Sequence, residues 1–130
     1  RGVEVNFLHE NIVDLQVSEG GYDIVYDSGC LHHIAPHRRT AYLALVDKAL
    51  RPGGYFSVVC FVPGGKLGGA EISDWDVYRL KSLQGGFGFT EGRLKMIFSR
   101  YQAIDMQEMT GVRDQPVFSE KGLRTALFQK

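Results

Sequence analysis

Three groups of residues in this chain have side chains that could do chemistry, and two of them are neighbours. Asp27-Ser28-Gly29 closes a short apolar run, Ile24-Val25-Tyr26, with an acid, a hydroxyl and a residue that permits close backbone approach. Directly after it come Cys30, His32, His33 and His37, a combination that raises the question of a metal. Structural zinc sites take their ligands in paired sets about two to four residues apart, and no second set exists here. Pro36 also breaks the helical alignment that would bring His33 and His37 to one face. No metal is expected. Histidine titrates nearest neutrality, so His32 or His33 can instead face a substrate or act as a base. The last group, Trp75 and Tyr78, is three apart on a predicted helix and shares one face. Such a pair either lines a substrate lid or anchors its helix to the domain.

The elements that must position these residues are legible around them. Residues 24–26 form a short apolar run, residues 37–50 a helical pattern, Arg51-Pro52-Gly53-Gly54 a break, and residues 55–62 a β-branched and aromatic run. Strand, helix and strand with both strands nearly all apolar predicts a βαβ unit in a parallel sheet buried on both faces. Ligands bind such sheets at the carboxyl ends of the strands, which is where Asp27-Ser28-Gly29 falls. In the helix, Leu43, Val46 and Leu50 make the predicted buried stripe, widened by Ala41, Leu45 and Ala49, with Arg38, Arg39 and Lys48 toward water.

Upstream, residues 3–8 (VEVNFL) alternate as a strand does, and His9-Glu10-Asn11 ends it. Downstream, two glycine-rich stretches, residues 64–69 and 85–88, read as mobile loops. Ser73 with Asp76 looks like a capping box opening a helix over residues 74–83. Thr90 opens another helix, with Leu94, Ile97, Phe98 and Tyr101 on one face. Residues 102–109 and 123–129 read as strands, joined by a polar connection over 110–122 long enough to shape a site.

Composition excludes several classes. Fifteen basic and fifteen acidic residues in 130 cancel, without a like-charge block, which argues against a nucleic-acid or anionic-membrane surface. No apolar run approaches the roughly 20 residues of a spanning helix. The two cysteines, Cys30 and Cys60, fall at or within predicted strands, as reduced thiols of a cytoplasmic protein would. Gly86-Phe87-Gly88 fails as a dinucleotide fingerprint, because it follows a helix and Glu91 stands where the third glycine is required. Gly65-Lys66 lacks the rest of a phosphate loop.

In order, the segments NFLHENIVDL, YDIVYDSGCLHHI and ALRPGGYFSVVCF resemble the downstream part of the class I S-adenosylmethionine-dependent methyltransferases, and TEGRLKMIFSRY extends the likeness more weakly. The resemblance covers nearly the whole chain. It implies an α/β fold, a partial Rossmann-like sheet that is mostly parallel with a C-terminal antiparallel hairpin. It implies one domain over residues 1–130, with residues 63–90 as a substrate-lid insertion. It implies S-adenosylmethionine as cofactor, the Asn11 side-chain oxygen accepting from the adenine amino group, and the Ile12 amide against the ring. Asp27, Ser28 and Gly29 would lie under the methionine part, with His32, His33, Trp75 and Tyr78 toward the substrate.

In the family, the first strand, the Gly-rich loop and the ribose-binding acid lie upstream of the position matching Arg1. The expectation is therefore a C-terminal piece of a methyltransferase acting on a small molecule, catalytically silent alone. Methyl transfer is an in-line displacement that positioning can largely drive, so no strict catalytic residue is implied. The alternative is a non-catalytic binding domain of the same fold. A nicotinamide-dependent dehydrogenase shares the sheet but not the LHH-to-RPGG block. In the family's order two further strands lie between residues 3–8 and residues 24–27. Either the first strand shifts into that gap, or two copies associate as a homodimer across the open edge.

Overall fold

The computed structural model describes residues 2–112 and 118–130. Its elements are β1 (Tyr22–Ser28), a 3-10 turn (Leu31–His33), α1 (Pro36–Ala49), β2 (Leu50–Phe61), α2 (Asp74–Leu80), α3 (Glu91–Ile97), β3 (Gln102–Glu108) and β4 (Leu123–Gln129). The sheet order is β1-β2-β4-β3. β1 runs parallel to β2, whereas β4 is antiparallel to both its neighbours. This is the expected partial Rossmann-like sheet with its antiparallel hairpin.

One face of the sheet carries the core. Phe56, Val58 and Cys60 of β2 and Ala126 and Phe128 of β4 pack against Tyr42 and Val46 of α1 and Leu94 of α3, closed by Phe98. The Phe56 and Phe98 ring centroids lie 4.9 Å apart, and Phe98 lies 4.8 Å from Phe128. Alternation along each strand sends the intervening residues to the opposite face. There the expected burial fails at β1, where Ile24 is 63% and Tyr26 59% exposed. The apolar pattern records what a strand can bury; here no helix among the described residues lies over those two side chains.

Residues 3–8 do not form the predicted strand. They run without a regular element, and Phe7 is 88% exposed. Alternation supplies the pattern of a strand but not the neighbour that must take its N–H and C=O groups. Nor does the segment move in beside β1, so the expected shift into the gap is not seen: among the described residues the outer edge of β1 has no partner strand.

Helix α1 starts at Pro36 and ends one residue before the expected end, because Leu50 already pairs with Tyr22 across β1 and β2. The expected stripe is present, with Val46 and Leu50 buried and Leu43 partly buried against the core, and it widens toward Ala49 on one side and Tyr42 and Arg39 on the other. Arg39, read as facing water, is buried because an acid waits for it, as shown below. α2 stops at Leu80 instead of residue 83, since Lys81 turns left-handed at φ 51°. The capping box of Ser73 and Asp76 is present as read, and Thr90 caps α3 through the Arg93 N–H. The connection over 110–122 lies partly outside the described residues.

The glycine stretches are not loose loops. Ala70 N–H donates to Gly86 C=O and Gly88 N–H to Ala70 C=O, tying the two stretches together. A Cβ on Gly88 would come 2.5 Å from Pro63 Cα, and one on Gly69 would come 1.9 Å from Val62 O. Glycine is there for close backbone approach, not for mobility.

Candidate functional site

The site is the carboxyl end of the parallel pair, where β1 gives out at Ser28 and β2 at Phe61. Its frame is Asp27. The alternation that turns Tyr26 and Ser28 outward turns Asp27 inward, where it is buried under α1. Its carboxylate accepts from Cys30 N–H at 2.6 Å, from Leu31 N–H at 2.9 Å and from the Tyr42 hydroxyl. Burial, and then the Asp27 charge and hydrogen bond, push the Tyr42 phenol well above its ordinary value, so it stays a donor. One acid thus fixes the chain's reversal out of β1. Gly29 takes φ 94° there, while its N–H still donates to Val59 C=O at 3.1 Å. Ser28 is left exposed at the strand end.

Histidines 32 and 33 part ways in the turn that follows. His32 is buried, its ring stacked on Phe61 with centroids 3.8 Å apart. A Cβ on Gly29 would touch that ring at 3.4 Å. Burial first, and then the neighbouring His33, lower the His32 pKa to about 4, so its imidazole is neutral. His33 is exposed, edge-on to His32 at 4.3 Å and to Phe61 at 6.0 Å. His37, at the start of α1, is engaged elsewhere: its Nδ1 lies 3.1 Å from the Tyr78 hydroxyl, which also accepts the His37 N–H at 2.9 Å. Among the described residues no group of three or more His, Cys, Asp or Glu is placed to hold a metal ion.

Residues 63–90 roof this end of the sheet. Phe87 N–H donates to His32 C=O and Phe89 N–H to Phe61 C=O, each at 2.8 Å, sewing the segment to both strand ends. Asp74, at the start of α2, is gripped by Arg39 of α1 at 2.8 Å and by Arg93 of α3 at 2.5 Å. Both guanidiniums lie over the Phe87 ring, at 5.3 and 4.7 Å from its centroid. Burial would raise the Asp74 carboxyl, but the hydrogen bonds and charges of Arg39 and Arg93 outweigh it and hold it below the usual range. Tyr78 ties α2 to α1 through His37, whereas Trp75, on the same helix, is 74% exposed. The aromatic pair does not act as one anchor; Tyr78 does so alone.

The structure brings Ser28, Gly29, His32 and His33 to one end of the sheet, with Phe61 as the residue that sequence reasoning missed. Its signal was available, since it ends the second parallel strand. Asn11 stands in a separate turn: its side-chain oxygen accepts from Val13 N–H at 3.3 Å, and Asp14 N–H donates to its C=O at 2.9 Å. Ile12 packs partly against the core. A cavity of about 540 Å³ between α1 and α3, lined by Leu43, Asp47, Ile97 and Tyr101 among others, lies apart from these residues. A second, of about 450 Å³, opens on the outer face beside Tyr26, Val59 and Thr125.

The family model described as "Methyltransferase domain" matches residues 1–54. Solved structures agree in fold. A 1,6-didemethyltoxoflavin-N1-methyltransferase from Burkholderia thailandensis, with 1,6-didemethyltoxoflavin and S-adenosylhomocysteine bound, is 24% identical at a TM-score of 0.63, covering 92% of this chain and 48% of that one. An S-adenosylmethionine-dependent methyltransferase from Mesorhizobium loti is 16% identical at a TM-score of 0.65, covering 100% of this chain and 71% of that one. Another from Methanosarcina mazei is 19% identical at 0.63, covering 93% and 65%. This chain thus spans about half to two thirds of the length of the first structures it matches. No curated protein matches the chain in sequence. The chain carries the fold of the class I S-adenosylmethionine-dependent methyltransferases, and its residues 1–54 match the methyltransferase-domain family. The resemblance read from LHH and RPGG is borne out. Among the described residues no helix is long and apolar enough to cross a membrane.

Proposed function

We propose that the protein to which this chain belongs transfers a methyl group from S-adenosylmethionine to a small-molecule acceptor. The observation that carries this is the turn after β1. Asp27 is spent inward on three donors, so Ser28 and Gly29 are presented at the carboxyl end of a parallel pair within a methyltransferase fold. S-adenosylmethionine, when bound, supplies a methyl carbon made electrophilic by its sulfonium sulfur. The residues fit it. The Ser28 hydroxyl and the backbone at Gly29 would hold the methionine part, with the side-chain-free Gly29 letting the ligand come close. Asn11 keeps a lone pair beyond its long bond to Val13, enough to accept from an adenine amino group, with the Ile12 amide beside it.

A small acceptor is supported by the balanced charge and by the 1,6-didemethyltoxoflavin bound to the Burkholderia methyltransferase. His32, His33, Trp75 and Tyr78 would face it, with residues 63–90 as the lid. The free thiols of Cys30 and Cys60 support work in the reducing cytoplasm. The 48% coverage of the Burkholderia enzyme supports an active protein longer than this chain, which would be silent alone. The exposed Ile24 and Tyr26 beside the edge of β1 support pairing of two copies there, which light scattering would detect as a dimer.

A second reading, a non-catalytic binding domain, draws on Asn11, whose side-chain oxygen serves its own turn. The two separate in one assay. Full-length protein is incubated with methyl-tritiated S-adenosylmethionine and a deproteinised small-molecule extract of its source cells. Label in the small-molecule fraction supports the first reading. Label on macromolecules alone overturns the small acceptor, and no transfer at all favours the binding domain.

A further inference from the structure

Three histidines lie at or just beyond the end of β1, and their surroundings separate them. His32 is neutral and buried, stacked on Phe61. His37 is held by the Tyr78 hydroxyl at Nδ1. His33 is exposed, and among the described residues neither of its ring nitrogens has a hydrogen-bond partner. It is nevertheless placed. His32 and Phe61 pack on its ring, and a Cβ on Gly86 would stand 3.2 Å from its Cε1, so the roof segment closes against it. The ring therefore sits between the ends of both parallel strands and the roof segment, one residue beyond the histidine whose ring a Cβ on Gly29 would meet.

We propose that His33 is the proton acceptor for the methyl acceptor, which is accordingly an uncharged small molecule with an N–H or O–H at the reacting atom. This rests on the methyltransferase reading. The acceptor's lone pair forms the bond to the methyl carbon, and the carbon–sulfur bond breaks with its electron pair going to sulfur. The acceptor's proton passes to a free ring nitrogen of His33. The groups against the His33 ring are His32 of its own turn, Phe61 of β2 and Gly86 of the roof. Of these only His32 titrates, and burial keeps it uncharged.

The test needs no acceptor. Sinefungin carries an amine where S-adenosylmethionine carries its transferable methyl; S-adenosylhomocysteine carries nothing there. Histidine Cε1–H resonances of the full-length protein are titrated against pH in the two complexes, with His33 assigned by its loss in His33→Gln. A cation beside an imidazole disfavours imidazolium, so the His33 titration should move down by about half a pH unit or more with sinefungin relative to S-adenosylhomocysteine. Equal titration in the two complexes would overturn the proposal and leave the methyltransferase reading standing. Failure of both ligands to bind would overturn that reading, and the proposal with it. Should His33→Gln not fold, His33→Asn supplies the assignment.

Discussion

If Asp27 is the frame of the strand end, replacing it should cost more than any other single polar change in the chain. Three donors point at one buried carboxylate: Cys30 N–H, Leu31 N–H and the Tyr42 hydroxyl. In Asp27→Asn the remaining oxygen can keep the Cys30 N–H. The new amide then faces the Tyr42 hydroxyl, which can rotate to accept, and the Leu31 N–H, which cannot. Leu31 is fully buried, so its N–H is left without a partner, at about 1–3 kcal/mol. Asp27→Ala strands all three donors and opens space beside Tyr42, for about 3–5 kcal/mol. Tyr42→Phe removes one donor and leaves the carboxylate with two, for about 1–2 kcal/mol. Urea denaturation with linear extrapolation measures all three, and each kcal/mol should also lower Tm by about 3–4 °C at this chain length. The order is Ala, then Asn, then Phe. An Asp27→Asn protein within about 0.5 kcal/mol of the parent would refute the reasoning, because it would mean the Leu31 N–H does not depend on the second carboxylate oxygen.

His32 is neutral in the fold with its pKa lowered to about 4, while in the unfolded chain it protonates near 6.5, so the unfolded state binds more protons between these values. Stability should therefore fall as pH drops from 6.5 to 4, by on the order of 1–3 kcal/mol from this group, and His32→Phe should flatten that part of the profile in thermal melts. Gly88→Ala should destabilise by about 2 kcal/mol or more, since its Cβ would meet Pro63 backbone, whereas Gly92→Ala in α3, with open space around it, should stabilise by about 0.5–1 kcal/mol. The Asp74 carboxyl, held low by Arg39 and Arg93, contributes above its unfolded pKa and loses that contribution as pH falls through the folded one. Protease cleavage within residues 63–90 should accordingly rise in acid, and Asp74→Asn should show the same cleavage already at neutral pH.

Much of this was legible beforehand. Strand, turn, helix and strand from Tyr22 to Phe61 follow from apolar runs punctuated by Asp-Ser-Gly and Pro-Gly, and Ser73 and Thr90 announced their helices as caps. What misled was pattern without partner. Residues 3–8 alternate as a strand does, yet a strand exists only beside another, and that neighbour is a tertiary fact. Arg39 looked like a solvated charge because its acid, Asp74, lies 35 positions on and reaches it only when the roof folds back over α1. The glycines at 69, 86 and 88 read as flexibility for a similar reason. Their purpose is room for Val62, Phe61 and Pro63, which local sequence cannot show. Of the candidate site, the place of Ser28 and Gly29 at the strand end was visible by position, but the split between His32 and His33 only through Phe61.

On the proposed reading, the end of β1 holds the methionine part of S-adenosylmethionine. Isothermal titration of the full-length protein with S-adenosylhomocysteine, beside a Gly29→Val variant shown to melt as a folded protein, tests it most directly. One-to-one binding in the micromolar range is expected, weakening by at least about tenfold in the variant, a loss of about 1.4 kcal/mol. Binding that is unchanged in Gly29→Val, or no heat at millimolar ligand, would contradict it.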